Sequence, residues 1–253
     1  MRFFGLRPQN DRDDKEMIQT EFKILDHLEE LRRRLMIVLI SSGFFSILCF
    51  FFSDSLLNIV IFPIQKNVYS LYFLSPYEAF MTKLKLSVVC GAIISLPVIF
   101  YQLWKFVSPG LYFSERQKVL PLVVVSTALF LIGALFAYFG VIPFALNFFL
   151  NFQTESLEPL ISIGSYLSFF LSFIFIFGIV FELPVLLIGL MLLGVVKPEF
   201  LRAQRRVAVV AIFVLAAVLT PTVDLITQFL LAIPLWILFE LSILLGKQIE
   251  KRI

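Results

Sequence analysis

Six apolar runs dominate this chain and leave little polar material from which to build a water-facing shell. Five are long: Leu35–Phe52, Leu86–Trp104, Val119–Ile142, Tyr166–Val196 and Leu225–Gly246. The sixth, Val207–Leu219, is short and caught between Arg206 and Pro221. A hydrocarbon layer of about 30 Å takes roughly 20 apolar residues of helix to cross. Composition points the same way: 60% of the 253 residues are hydrophobic and 15% charged, against about a quarter charged in soluble domains. With a mean hydropathy of +0.96, the apolar surface exceeds what one globular core can bury. The expected fold class is an all-α polytopic membrane protein, which argues against a soluble enzyme.

The basic residues decide between five spans and six. With a cytoplasmic N-terminus and six crossings, the inner side holds Arg2, Arg7, Arg12, Lys15, Lys23, Arg32, Arg33 and Arg34. It also holds Lys105, Arg116 and Lys118, then Lys197, Arg202, Arg205 and Arg206, and finally Lys247, Lys251 and Arg252. Only Lys66, Lys83 and Lys85 fall on or near the outer side. An inner-side excess of Lys and Arg sets orientation, and five spans would carry the last three cations across. Six transmembrane helices with both termini cytoplasmic are therefore expected. The domain division is a disordered polar tail over residues 1–20, a transmembrane domain over 21–246, and a short cytoplasmic tail over 247–253. The N-terminal stretch lacks an apolar core segment and does not read as a cleavable signal peptide. Thirteen residues of helix rise only about 20 Å, so the fifth span is short and must be buried, thin the bilayer or draw water inward. The outer segments Phe52–Tyr77 and Pro143–Ser165 carry Pro63, Pro76 and Pro159, which favours packed, irregular caps.

Polar residues inside these runs are the candidate functional groups. Glu182 lies within Phe181-Glu182-Leu183-Pro184, deep in the fourth run. A charge at mid-membrane costs about 2.5–3.5 kcal/mol on insertion scales, so its carboxyl faces a partner, a cavity or a polar substrate, or is protonated and bonded inside the bundle. Gln102 is polar within the second run. Glu240 is about two turns from the basic inner end, within reach of the interface or of Lys247. Thr220, Asp224 and Gln228 cluster at the outer tip of the last hairpin, where Asp224 either caps the final helix or joins Gln228 in a polar surface for another helix.

At the inner interface, Ile24, Leu28, Leu31 and Leu35 form the stripe of an amphipathic helix. Glu30 on that helix can pair with Arg33 or Arg34, a contact worth a few tenths of a kcal/mol. Glu115 sits beside Arg116 in the third polar segment. His27, the only histidine, reads as a solvated interfacial side chain. Cys49 and Cys90 lie in apolar runs without metal-ligand or disulfide spacing. Arg32-Arg33-Arg34 before a long apolar run reads as a positive-inside flank, since no small-residue cleavage site follows. No Gly-rich phosphate loop, metal cluster or internal repeat is evident, so no cofactor is expected.

Several motifs, in order and at consistent membrane depths, resemble the TatC family, the core membrane subunit of the twin-arginine protein translocase. They are His27-Leu28-Glu29-Glu30-Leu31-Arg32, Ser75-Pro76-Tyr77-Glu78-Ala79-Phe80, the run from Pro97 through Trp104, Phe106 and Pro109 to Tyr112, Glu115-Arg116, Phe136-Ala137-Tyr138-Phe139, Phe181-Glu182-Leu183-Pro184, Leu219-Thr220-Pro221 and Ala232-Ile233-Pro234. The resemblance covers about Leu25 to Gly246. It implies a cupped six-helix bundle with short fifth and sixth helices in the bacterial cytoplasmic (inner) membrane. It further implies recognition of twin-arginine signal peptides on folded proteins, assembly with single-span TatA and TatB subunits, homo-oligomers within the receptor complex, contact with lipid, use of the protonmotive force, and no nucleic-acid partner. Glu30 and Glu115, with Arg32 and Phe106, correspond to the signal-peptide site. Glu182, Gln102 and Glu240 are the intramembrane polar positions, and Thr220, Asp224 and Gln228 the partner contact. Thr222-Val223 make the turn before Asp224 one residue longer than usual.

The chemistry agrees with the resemblance. A twin-arginine ligand needs carboxylates at the inner interface, and guanidinium–carboxylate pairing is planar and bidentate, so lysine is no equivalent. A competing reading is a proton-coupled small-solute transporter that titrates Glu182. An intramembrane hydrolase is disfavoured, because no histidine lies in a span.

Overall fold

The computed structural model describes residues 10–65, 71–107, 119–151, 160–220 and 224–250. Helix α1 (Asn10–Phe51) runs unbroken, since it contains no proline and no glycine before Gly43 to interrupt its ladder. The backbone is thus helical from Asn10, inside the stretch expected as a tail. Helix α2 (Ser53–Gln65) follows, then strand β1 (Leu71–Tyr72) and helices α3 (Glu78–Ile94) and α4 (Leu96–Val107). The last two bend by 53° at Ser95, where Pro97 supplies no N–H to the preceding turn.

Helix α5 (Val119–Phe136) passes through a five-residue π segment, Ala137–Val141, into α6 (Ile142–Leu150). Strand β2 (Ile161–Ser162) leads to α7 (Ile163–Val180) and α8 (Leu183–Leu192), which are separated at Phe181 and Glu182 just before Pro184. Helices α9 (Pro198–Ala203), α10 (Arg205–Leu219) and α11 (Leu225–Glu250) complete the chain. Gly194, at φ 71°, takes the left-handed turn after α8, a conformation glycine adopts without steric cost.

Four stretches are long and apolar enough to cross a membrane: His27–Phe51, Leu120–Leu150, Ile163–Leu192 and Leu225–Gln248. The bent pair α3–α4 makes a fifth. The expected short run is helix α10, whose 15 residues rise about 22 Å. The irregular outer caps need correction. Residues 53–65 form α2, and residues 142–150 extend the third span as α6. Pro63 is tolerated inside α2 because the carbonyl it leaves unserved, that of Ile59, accepts the Tyr138 hydroxyl at 2.9 Å.

Helix α7 is the centre of the bundle: Tyr166, Leu167, Phe170, Phe173, Ile174 and Phe177 are all buried. It approaches α5 closely because glycine faces each way. A Cβ on Gly133 would meet the Phe177 carbonyl at 2.5 Å, and one on Gly178 would strike the Phe130 ring. Without a hydrophobic drive between helices in lipid, such small-residue contacts and interhelical hydrogen bonds carry association. The α1–α3 seam is built in the same way. Ser42 and Ser95 share a hydrogen bond at 2.8 Å, and a Cβ on Gly91 would collide with the Ser46 backbone.

Leading into α3 and α7, β1 and β2 pair in parallel, with Leu71 opposite Ile161 and Tyr72 opposite Ser162. Lys83 of α3 pairs with Asp54 of α2 at 2.5 Å, and the Tyr166 hydroxyl donates to the Val60 carbonyl at 2.7 Å.

Because backbone cannot yield as a side chain tip does, Gly91→Val should destabilise the protein by about 1–3 kcal/mol. Gly140→Ala, whose Cβ meets nothing within 4 Å, should stay within about 0.5 kcal/mol. Thermal unfolding of both variants in detergent checks the contrast.

Candidate functional site

Helix α4 organises the site by presenting two faces. Gln102 and Phe106, four residues apart, turn toward α1, whereas Phe100, Leu103, Trp104 and Val107 line a cavity on the other side. The spacing of these positions is helical in both sets.

The α1 side carries Glu30. Its Oε1 accepts from Arg34 Nε at 3.1 Å and again from Arg34 Nη2. The expected same-helix pair is therefore formed, with Arg34 and not Arg33. Arg34 also donates through Nη1 to the Gln102 carbonyl at 3.2 Å, which ties the ion pair to α4. His27 Nδ1 lies 3.6 Å from the other carboxylate oxygen. The imidazole stacks on the Phe106 ring at 4.3 Å and 17°, so His27 is a packed member of this corner as well as a partly exposed one. Arg32 is exposed on the same helix. Gln102 enters through its backbone carbonyl. Glu115 lies outside the described residues, as do Pro109, Tyr112 and Arg116.

The other face of α4 opens on a cavity of about 490 Å³, whose walls are almost entirely apolar apart from Ser126 and Glu182. Glu182 is placed there by the α7–α8 break: its amide bonds the Ile179 carbonyl, and its own carbonyl accepts from Leu186. Ser126 lines the cavity with Glu182 and accepts the Trp104 indole N–H at 3.2 Å. Trp104 is held in place by Gly189, where a Cβ would meet its ring at 2.7 Å. Glu182 Oε1 is buried with no hydrogen-bond partner.

The remaining predicted residues are distributed along the last hairpin. Glu240 accepts from Arg205 at 2.6 Å, which replaces the expected reach to the interface or Lys247. The pair joins the start of α10 to α11. Asp224 caps α11: its Oδ1 accepts the Thr227 amide at 2.8 Å and its Oδ2 the Thr227 hydroxyl at 2.7 Å. Gln228 donates to the Phe213 carbonyl of α10 at 3.0 Å, and Thr220 is buried. These groups serve the hairpin itself. The lengthened turn at Thr222-Val223 is outside the described residues. The structure thus gathers Glu30, Gln102 and Phe106 at one corner, with Glu182 across α4 and the hairpin residues elsewhere.

Sequence reasoning assigned no role to Glu78, Ser126 or Arg34's contact with α4. Glu78 accepts from the amides of Leu74 at 2.6 Å, Ser75 at 3.3 Å and Gly164 at 2.8 Å, and from the Ser162 hydroxyl. One carboxylate so joins the start of α3 to the start of α7. The signal was available: Ser75-Pro76-Tyr77-Glu78 has capping-box spacing, with the acid reaching back to the Ser amide. Ser126 carried no signal, since nothing local says which neighbour a serine in an apolar run meets.

Ser126→Ala removes the acceptor of a buried indole N–H and should cost about 1–3 kcal/mol. Adding Trp104→Phe should recover part of that loss, a non-additivity that a double-mutant cycle by chemical denaturation in detergent measures.

The family described as Sec-independent protein translocase protein (TatC) matches residues 26–234. A protein of that name from Carboxydothermus hydrogenoformans is 42% identical over 229 residues, covering 90% of this chain and 94% of its own. Its counterpart in Aquifex aeolicus is 42% identical over 228 residues, covering 88% and 94%. A crystal structure described as the twin arginine translocase receptor TatC superposes with a TM-score of 0.77 at 42% identity, covering 87% of this chain and 99% of the other. A protein translocase component of this kind is a membrane subunit and not an enzyme, which displaces the solute-transporter reading. The chain belongs to the TatC family of Sec-independent protein translocase proteins.

Proposed function

We propose that this chain is the receptor subunit of a twin-arginine translocase in a bacterial cytoplasmic membrane. In this reading six helices cross the membrane, α10 being the short fifth crossing, and both termini are cytoplasmic. The chain recognises twin-arginine signal peptides of folded precursors and assembles with TatA- and TatB-type single-span subunits for export driven by the protonmotive force.

One observation carries the reading: Glu30, at the polar end of a membrane-length helix, has its carboxylate engaged by a guanidinium in the resting chain. The corner accepts the group that a twin-arginine ligand brings. Phe106, packed against His27, ends α4 at residue 107, where the segment that holds Glu115 begins. In this proposal Glu30 and Glu115 each take one arginine, and the apolar part of the signal lies along the α4–α5–α8 cavity beside Glu182. Support comes also from the Lys and Arg distribution and from the relative described as a twin arginine translocase receptor. Thr220, Asp224 and Gln228 mark the end of the α10–α11 hairpin where a partner helix would dock.

A charge-assisted hydrogen bond contributes about 1.5–3 kcal/mol. Glu30→Gln and Glu115→Gln should each weaken binding of a labelled twin-arginine peptide to the purified protein by about 10- to 150-fold. Unchanged titration curves for both variants would remove the two carboxylates from this role.

A further inference from the structure

Glu30 is not an empty acceptor. Arg34 directs two donors, Nε and Nη2, at the single oxygen Oε1, while its third, Nη1, anchors on the Gln102 carbonyl. The side chain of Arg34 is 12% exposed and that of Glu30 is 39% exposed, so the arginine occupies the inner side of the pair and the carboxylate the outer. A fork-to-fork pairing with a second guanidinium needs both carboxylate oxygens. Oε2 faces outward beside His27, but Oε1 is already taken.

We propose that Arg34 is an internal competitor for the Glu30 carboxylate: it occupies Glu30 in the resting chain, and an arginine-bearing ligand binds by taking the carboxylate from it. The inference rests on the reading of Glu30 as a signal-peptide contact. Arg34 directs Nε and Nη2 both at Oε1, whereas an incoming guanidinium can pair fork to fork with both oxygens, so the exchange favours the ligand. A lysine ammonium is a point charge without the planar fork, so it cannot match the two convergent donors it would displace. Occupancy by Arg34 lowers the affinity of both kinds of ligand by one common factor, and the preference for arginine is set by the intrinsic contacts with Glu30. The anchor on Gln102 keeps a displaced Arg34 close to the carboxylate, so the site closes again when the ligand leaves. The affinity seen for any ligand is its intrinsic affinity reduced by the fraction of chains in which Glu30 is free.

The test measures binding of twin-arginine and twin-lysine peptides, identical elsewhere, to the full-length protein in detergent. Arg34→Met should tighten both peptides by the same factor, about tenfold, and leave the preference for arginine unchanged. Arg34→Lys, which retains a cation and keeps the pair should the methionine variant fail to fold, should fall between wild type and that limit. A merely structural role would weaken both peptides together and leave their ratio unmoved. Weaker or unchanged twin-arginine binding by Arg34→Lys, or a changed ratio between the two peptides, overturns the inference. Full binding by Glu30→Gln would instead overturn the underlying reading of the site, so the two failures are told apart.

Discussion

Inside hydrocarbon a polar group has no water to return to, so each one must be satisfied by the protein or be held for something that arrives later. Much of this structure follows from that constraint. Ser42 and Ser95 bond across the α1–α3 seam, Tyr138 serves the carbonyl that Pro63 abandons, and Gln228 closes the α10–α11 hairpin on the Phe213 carbonyl. Close packing by glycine makes these short reaches possible. Glu182 Oε1 is the exception among the described residues, a buried carboxylate oxygen without a partner. It faces an apolar cavity of a size that admits part of a chain.

The two candidate centres are linked by one helix. Bending at Ser95 sets α4 at 53° to α3, which brings Gln102 and Phe106 to α1 while Trp104 and Leu103 wall the Glu182 cavity. A segment that binds at the Glu30 corner therefore meets α4 before it can reach the cavity. The Glu30–Arg34 pair and the apolar cavity lie on two different sides of a single short helix, which is the arrangement the proposed reading uses for a cationic leader followed by an apolar stretch.

The membrane class and the positions of the long spans were legible in the sequence because hydropathy and the cost of charge act locally. The breaks before Pro97 and Pro184 fall inside runs that hydropathy reads as single spans. What failed was long-range or masked by a rule of thumb. Pro63 suggested irregular backbone over a segment that is helical, because the compensating donor, Tyr138, lies 79 residues in the chain from the Ile59 carbonyl that it serves. Glu240 was matched to Lys247, its neighbour in sequence, whereas its partner is Arg205 on the facing helix. The Glu30 pairing was read correctly as an intrahelical possibility, but the third bond from Arg34 to α4 had no sequence trace. Glu115 falls outside the described residues, so its role rests on the family resemblance and chemistry alone.

The most direct test follows the guanidinium that touches Glu30. Magnetic-resonance distance measurements between a labelled Glu30 carboxyl carbon and labelled guanidinium nitrogens separate two sources, the chain's own arginines or the bound peptide's. In the free protein the coupling should come from the chain's own arginine. With saturating twin-arginine peptide it should pass to the peptide, and the internal coupling should fade. An internal coupling that persists at full occupancy, with no coupling to the peptide, would contradict the account.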